Sequence, residues 1–496
     1  MPRRRHPHLY ELNARLVIER QAALHGRRLA IGAIPEAEWR RLGAHGFDLV
    51  WPMGIWRRSD ASRRIAREHP GLRVEYDRVL PGWDEGDVGG SPYAVADYAI
   101  DPAIGGPDDL VRLRRALDRC GLGLIVDFVP NHLAVDHPWV RSHPERLVAG
   151  TPRAVRDHPD RFFSPRPGLH LAYGRDPYSS PWTDTVQINH FADGTREALG
   201  DDLLQIAALA DGVRCDMAML VLDDAFRATW SGVVAAVAHV NWPDFWPEAM
   251  ARVKQRFPGF LFIAEAYRDV ERLLAMGFDY IYDKGLYDRL LQGDAGAVRE
   301  HLAANPSDRF VRFTENHDEP RAAQAFGPAR SRAAAIVAGT SPGCRLFHDG
   351  QAEGRRVRLP IQLLREPDEP ADPDTALFHD RLLRILDAPV FHSGEHRLLE
   401  VTPAGDPGAG HRNLLAWSWE EGGDLRIVVV NYSGMRSSGR LRFRLPPPRG
   451  GSGDPDRVDL DDLLHDVSYQ RDRHEVADPG LYVELPPWDA HLFRAR

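Results

Sequence analysis

Short apolar runs that stop on polar or acidic residues recur along this chain, in two places behind a clear helical pattern. This alternation restricts the fold more than any other feature. Leu122 to Val129 is almost continuously apolar and has Asp127, Asn131 and His132 at its end. Ahead of it, Pro107 opens a segment with Leu110, Leu113, Leu117 and Cys120 three or four apart, and Gly121 follows, which predicts an amphipathic helix. Ala249, Val253 and Phe257 mark a second helical face, Pro258-Gly259 breaks it, and Phe260 to Ala264 predicts a buried strand ending at Glu265. Gly46 to Trp51 has the same character. Continuous apolar runs of strand length suit a strand covered on both faces. Alternation with helices therefore predicts a parallel sheet under helical cover.

Two architectures satisfy that pattern, a doubly wound open sheet and a (β/α)8 barrel, and periodicity does not separate them. In a barrel, residues at the C-terminal ends of distant strands converge on one face. From about His132 to Asp202 the pattern lapses into His, Pro, Arg and aromatic residues, which predicts a protruding loop domain. After about residue 390, the run Arg426 to Tyr432 and the alternation of Leu441, Phe443, Leu445 and of Leu481, Val483, Leu485 predict a small antiparallel β domain. Glu366 to Asp374 reads as a linker and Pro446 to Asp454 as a long hairpin loop.

Charge and cysteine content exclude several partners. The formal net charge of -9 argues against nucleic acid, whose binders carry a basic face. The basic start, Arg3 to Arg5, is expected to be a solvated tail. No apolar run reaches membrane-spanning length, and the first residues lack the apolar core of a secretory signal, so a cytoplasmic location is expected. Cys120, Cys215 and Cys344 are widely separated and form no Cys-x-x-Cys pair, so they are read as apolar fillers.

Four polar stations end apolar runs, at Asp127, Asp216, Glu265 and Asp318, separated by 89, 49 and 53 residues. One or two strand-helix units fit each interval, the first also holding the insertion. Paired carboxylates so placed suit glycosidic chemistry with retention, which needs a nucleophile and a proton donor about 5 to 5.5 Å apart. Arg214, two residues before Asp216 on the same predicted strand, faces the same side and can favour that carboxylate's ionised form.

The words around these stations are specific. Asp127-Phe128-Val129-Pro130-Asn131-His132, Gly212-Val213-Arg214-Cys215-Asp216, Ala264-Glu265 and Phe313-Thr314-Glu315-Asn316-His317-Asp318 resemble, in order, the four sequence motifs of the α-amylase family. The resemblance covers roughly residues 40 to 355 and, more loosely, the β domain. It implies a (β/α)8 TIM barrel from 1–132 and 203–385, an inserted loop domain from 133–202 and a C-terminal antiparallel β domain from 390–496. It implies Asp216 as nucleophile, Glu265 as general acid and base, and Asp318 as the carboxylate that binds sugar hydroxyls and favours the distorted ring. Asp127, Arg214, His132 and His317 would serve the sugar site, and Tyr93 would be an aromatic platform under the sugar. His137 and His190 lie outside the motifs and read as structural or exposed.

The chain departs from the family in two places. Met219-Leu220 stands where many α-amylases carry Lys-His, which removes polar contacts from the leaving-group side. Gln187 replaces an aspartate that often ligates calcium, while Asn131 matches another calcium ligand; since calcium prefers several oxygen ligands including carboxylates, no metal or cofactor is expected to be required. The implied substrate is an α-glucan or maltooligosaccharide, hydrolysed at α-1,4 bonds. Transfer to another sugar or to phosphate would use the same carboxylates. A catalytically silent binding subunit is the alternative from another class.

Overall fold

The computed structural model describes residues 4–230, 233, 244–405, 410–445 and 455–496. Eight strands close into a barrel in chain order: β1 His8–Asn13, β2 Leu49–Met53, β3 Gly123–Phe128, β4 Gly212–Cys215, β5 Leu261–Ala264, β6 Tyr280–Tyr282, β7 Phe310–Arg312 and β8 Cys344–His348. Each pairs in parallel with its two neighbours, and β8 returns to β1. The open sheet is thereby ruled out. Ile125, Val126, Val213, Phe262 and Ile263 are fully buried. Burying such a side chain contributes about 1.5 to 3 kcal/mol, so the runs read from sequence form the barrel wall.

The helix predicted behind β3 spans Pro107–Arg119, with proline at its first turn. Asp109 accepts from the Gly106 amide at 2.8 Å, and Gly121 takes a left-handed φ of +76° that ends the helix. Phe245–Arg256 is the helix predicted behind β5. Cys215 and Cys344 are buried and Cys120 is half-buried, all three free.

Several boundaries differ from the sequence reading. The N-terminus is no free tail: β1 closes the barrel, Arg4 reaches Asp387 at 3.1 Å and Asp48 at 3.5 Å, and Arg5 pairs with Asp308 at 2.5 Å, while Arg3 lies outside the described residues. The insertion carries a four-stranded antiparallel sheet, ordered His132–Ala134, Trp182–Gln187, Leu169–Gly174, Phe162–Arg166. The helix Thr195–Leu209 runs across the boundary expected between 202 and 203 and packs against the barrel helices Phe245–Arg256 and Pro107–Arg119.

The Glu366 to Asp374 stretch does not lead into the β domain. Glu366 pairs with Arg355 at 2.5 Å, Asp372 caps the barrel helix Pro373–Leu386, and the β domain's first strand is Glu395–Leu398. That domain has a six-stranded and a three-stranded sheet, both antiparallel. Residues 446–454, read as a long hairpin loop, lie outside the described residues; the strands on either side, Ser437–Leu441 and Arg457–Asp462, sit in different sheets. The domain docks on the barrel through Trp419, whose Nε1 donates to the Thr340 carbonyl at 2.7 Å, and Tyr432, whose hydroxyl donates to the Leu290 carbonyl at 2.7 Å. Among the described residues no helix is long and apolar enough to cross a membrane.

Candidate active site

Register brings the acidic stations together. Arg214 on β4 lies opposite Asp127 on β3 and Ile263 on β5, so the next turn of pleat sets Asp216 and Glu265 side by side just past their strands. The Asp216 amide donates to the Phe128 carbonyl at 2.9 Å, and the Glu265 amide to that of Cys215 at 3.0 Å, so the barrel ladder continues through both acids. Asp216, Glu265 and Asp318 all open into one cavity of about 380 Å³, whose wall includes Tyr93, His132 and Trp182.

Arg214 organises the floor of that cavity. Its Nη1 lies 2.7 Å from Asp216 Oδ1 and its Nη2 lies 2.6 Å from Glu265 Oε2, so one rigid guanidinium grips both carboxylates. Its carbon also lies 5.3 Å from the Trp51 ring centre and 5.1 Å from that of Tyr93. Asp127 stays 3.6 Å from the same guanidinium, accepts from the Gly54 amide at 3.2 Å, and does not line the cavity. Arg214 itself is 1% exposed and also lies under the surface. Both residues expected to touch sugar therefore hold the acids from beneath.

Asp318 and His317 form the opposite wall. His317 Nε2 lies 3.1 Å from Asp318 Oδ2 and 2.8 Å from the Tyr93 hydroxyl, whose ring stacks on the imidazole at 5.4 Å. Its Nδ1 meets Glu11 Oε1 at 2.5 Å. Glu11, on the closing strand β1, was missed by sequence reasoning. His317 thus positions Asp318 and Tyr93, both of which line the cavity. His132 does line the cavity, its ring 4.9 Å from that of Trp182. Tyr93 is held by a loop in which Gly90 has φ +78° and its Cα faces the Arg63 backbone, so a side chain there would clash.

The five titrating groups here are driven apart. Burial lifts Glu265 to about 7, helped by Asp216 and opposed by Arg214. Burial also raises Asp216, with Arg214 opposing. Asp318 goes the other way: burial is outweighed by His317, which holds it down at about 2. For His317, burial disfavours the charge, but Asp318 and Glu11 outweigh it and raise its pKa well above the usual histidine range. Burial pulls His132 down to about 4, so that ring is neutral at pH 7. A proton-holding carboxyl beside ionised partners is an arrangement for acid-base work.

Two further groups on Glu265 were not foreseen. The Tyr267 hydroxyl donates to its Oε1 at 2.5 Å, and the Met217 amide donates to its Oε2 at 2.9 Å. Met217 sits at φ +44°, a backbone that a side chain rarely adopts and that is met where a site over-determines it. Tyr267, two residues after Glu265, could have been found from the alternation of strand faces; the strained Met217 carries no sequence signal. Met219 and Leu220 are buried and line no part of the cavity, so no polar group reaches it from those positions. His190 is buried and bonded to the Pro130 carbonyl at 2.9 Å, and His137 lies against Trp139, both structural.

The donor set expected for calcium does not fit a cation. Gln187 Nε2 donates to the Asn131 carbonyl at 2.8 Å and to Asn131 Oδ1 at 3.0 Å, so an amide NH₂ takes the two oxygens a calcium ion would use.

Fold and cavity together define a (β/α)8-barrel protein with a trio of strand-end carboxylates. No family model matches the chain. Among characterised proteins it is 27% identical over 277 residues to an α-amylase, MalA, from Haloarcula japonica, covering 54% of this chain and 37% of that one. It is 26% identical over 497 aligned positions to a 1,4-α-glucan branching enzyme, GlgB, from Frankia casuarinae, covering 88% and 57%. It is 26% identical over 250 residues to an α-1,4-glucan:maltose-1-phosphate maltosyltransferase from Pseudomonas aeruginosa, covering 49% and 31%. The chain thus matches between 31% and 57% of these relatives' lengths. The fold is that of a noncanonic maltogenic α-amylase, AmyB, from Thermotoga neapolitana, with a TM-score of 0.67 at 19% identity over 99% and 98% of the two chains. In sequence and in fold the chain is thus similar to members of the α-amylase family, glycoside hydrolase family 13.

Proposed function

We propose that this protein is a retaining glycosidase acting on α-1,4-linked glucose oligomers or polymers. The observation that carries the reading is the single buried guanidinium joining Asp216 and Glu265, with Asp318 across one sugar-sized cavity. In the reaction, Asp216 attacks the anomeric carbon while the glycosidic C–O bond breaks and Glu265 gives its proton to the departing oxygen. Glu265, now a carboxylate, takes a proton from incoming water, which attacks the same carbon and frees Asp216. Arg214 favours the carboxylate form of both acids, and Asp318, ionised at any working pH, accepts from sugar hydroxyls. Calcium plays no part in this scheme. The three free cysteines fit a reducing, cytoplasmic setting.

A second reading keeps the same covalent intermediate but resolves it with a sugar hydroxyl or phosphate, and the branching enzyme and maltosyltransferase among the relatives support it. Incubation with maltooligosaccharides, with and without phosphate, separates the two. Shorter sugars alone indicate hydrolysis, longer ones transfer, and sugar phosphates phosphorolysis. Asp216→Asn and Glu265→Gln are expected to abolish turnover with the melting temperature nearly unchanged. Full activity in either variant would remove the mechanism.

A further inference from the structure

Behind the wall of the sugar cavity lies a second cavity of about 570 Å³, lined by Arg15, Arg20, Arg28, Arg63, Arg67 and Arg365 against three carboxylates, Glu19, Asp87 and Glu366. The surplus of positive charge is notable in a chain whose net charge is -9. Three of the arginines are neutralised at close range. Arg15 lies 2.7 Å from Asp101, Arg365 lies 2.7 Å from Asp87, and Arg20 pairs with Asp349. The other three are not. Arg28, Arg63 and Arg67 have their nearest carboxylates at 3.7, 3.7 and 4.0 Å, on Glu19, Asp60 and Glu85, whose side chains are 49%, 91% and 73% exposed. Such long pairs to solvated partners contribute little.

Under this lining sits Arg58, 6% exposed. Its Nη1 donates to the Gly90 carbonyl at 3.1 Å, but its Nε and Nη2 are buried without a hydrogen-bond partner. The Nε of Arg67 is likewise buried and unpartnered. Burial, then the charges of Arg15 and Arg63, work against the ionised form of Arg58. Six guanidinium groups thus converge on a cavity whose own lining supplies three carboxylates, and Arg28, Arg63 and Arg67, held only by long pairs, are the ones an incoming anion can engage. The planar fork of arginine suits phosphoryl oxygens in particular.

We propose that this cavity binds a phosphoryl anion, either inorganic phosphate or the phosphate of a small phosphorylated sugar. Arg63 and Arg67 on the helix Asp60–Glu68 are its principal ligands, and Arg28 closes it from the helix Ala14–His25 side. The same helix turns Ile65 and Ala66 toward the sugar cavity, so the two sites share one wall. The Ser91 amide, in the loop that carries Tyr93, bonds to Ser62 on that helix at 2.9 Å.

Isothermal titration calorimetry of the full chain at low ionic strength, with inorganic phosphate and separately with glucose 1-phosphate, tests the site by direct binding and does not depend on the catalytic assignment. Saturable binding is expected for at least one of them, weakened by added sodium chloride. Equal affinities identify free phosphate as the ligand, and tighter glucose 1-phosphate identifies the phosphosugar. Arg63→Gln/Arg67→Gln is expected to lose at least ~10-fold in affinity, since each charge-assisted bond to phosphate is worth about that much. Arg28→Gln, in the loop after the helix Ala14–His25, should lose less but measurably. Absence of saturable binding for both anions up to about 10 mM, or equal binding by the native chain and the double variant, overturns the proposal.

Discussion

Replacing Tyr267 by phenylalanine removes a single hydroxyl from the proton donor of the proposed reaction, and its effect can be worked out in sign and size. The hydroxyl donates to Glu265 Oε1 at 2.5 Å and so stabilises the ionised carboxylate. Glu265 titrates at about 7 because burial, with Asp216, outweighs Arg214 and this hydrogen bond. Without the bond the carboxylate is harder to form, and the pKa must rise. A hydrogen bond to a charged group is worth about 1.5 to 3 kcal/mol, and each 1.4 kcal/mol is roughly one pH unit. Tyr267 is 44% exposed, so water partly replaces the hydroxyl, and the lower figure of roughly one unit is expected. Glu265 must hold its proton to act, so activity is lost as pH rises through its pKa. The assay is kcat/KM for a chromogenic maltooligosaccharide between pH 4 and 10, whose basic limb should move upward by roughly one unit. A limb that stays in place, or moves to lower pH, with melting temperature unchanged, refutes the assignment of Glu265 as the titrating acid.

Arg214→Met strands two buried carboxylates and should cost about 3 to 5 kcal/mol in urea denaturation at pH 8. The loss should shrink at pH 5 as those carboxyls protonate, and an equal loss at both would be contrary to the charge argument. Glu11→Gln removes one of the partners that raise His317, so the variant's His317 should lose its proton at lower pH. In the native chain the stability from this raised histidine is fully present below about 6.5 and disappears as pH climbs through the elevated value. Histidine NMR in both proteins would show it, and coincident titration curves would count against the Glu11 contact. Because the Gln187 amide occupies the Asn131 oxygens, excess calcium or chelator should leave the native melting temperature within about 1 °C. Gln187→Asp should become calcium-responsive, and a calcium shift in the native chain would contradict the fit of that amide.

How much was legible in the sequence depended on how local the cause was. β3 and β5 are runs of buried apolar residues with an acid near the end of the one and just after the other, and the helices before them carry their own start and stop signals, so both could be read within a residue or two. The order of Asp216, Glu265 and Asp318 came with them. β1, by contrast, contains His8, Glu11 and Asn13, and β6 and β7 have three residues each. A period-two or continuous apolar signal needs more length than that, and polar residues inside a barrel strand make sense only once their partners are known. Glu11 meets His317 across 306 positions of chain.

The residues alone determined which side chains could do the chemistry, because strand ends and motif spacing are local properties of a chain with apolar strands. Closure of the barrel decided which of them reach the cavity. It set Asp127 and Arg214 beneath the acids, put His317 against Asp318 and Tyr93, brought Tyr267 and the Met217 amide onto Glu265, and set Gln187 against Asn131. Contacts between segments tens to hundreds of residues apart depend on register and ring order, and the burial they create sets the proton affinities of the acids. Neither is encoded at any one position.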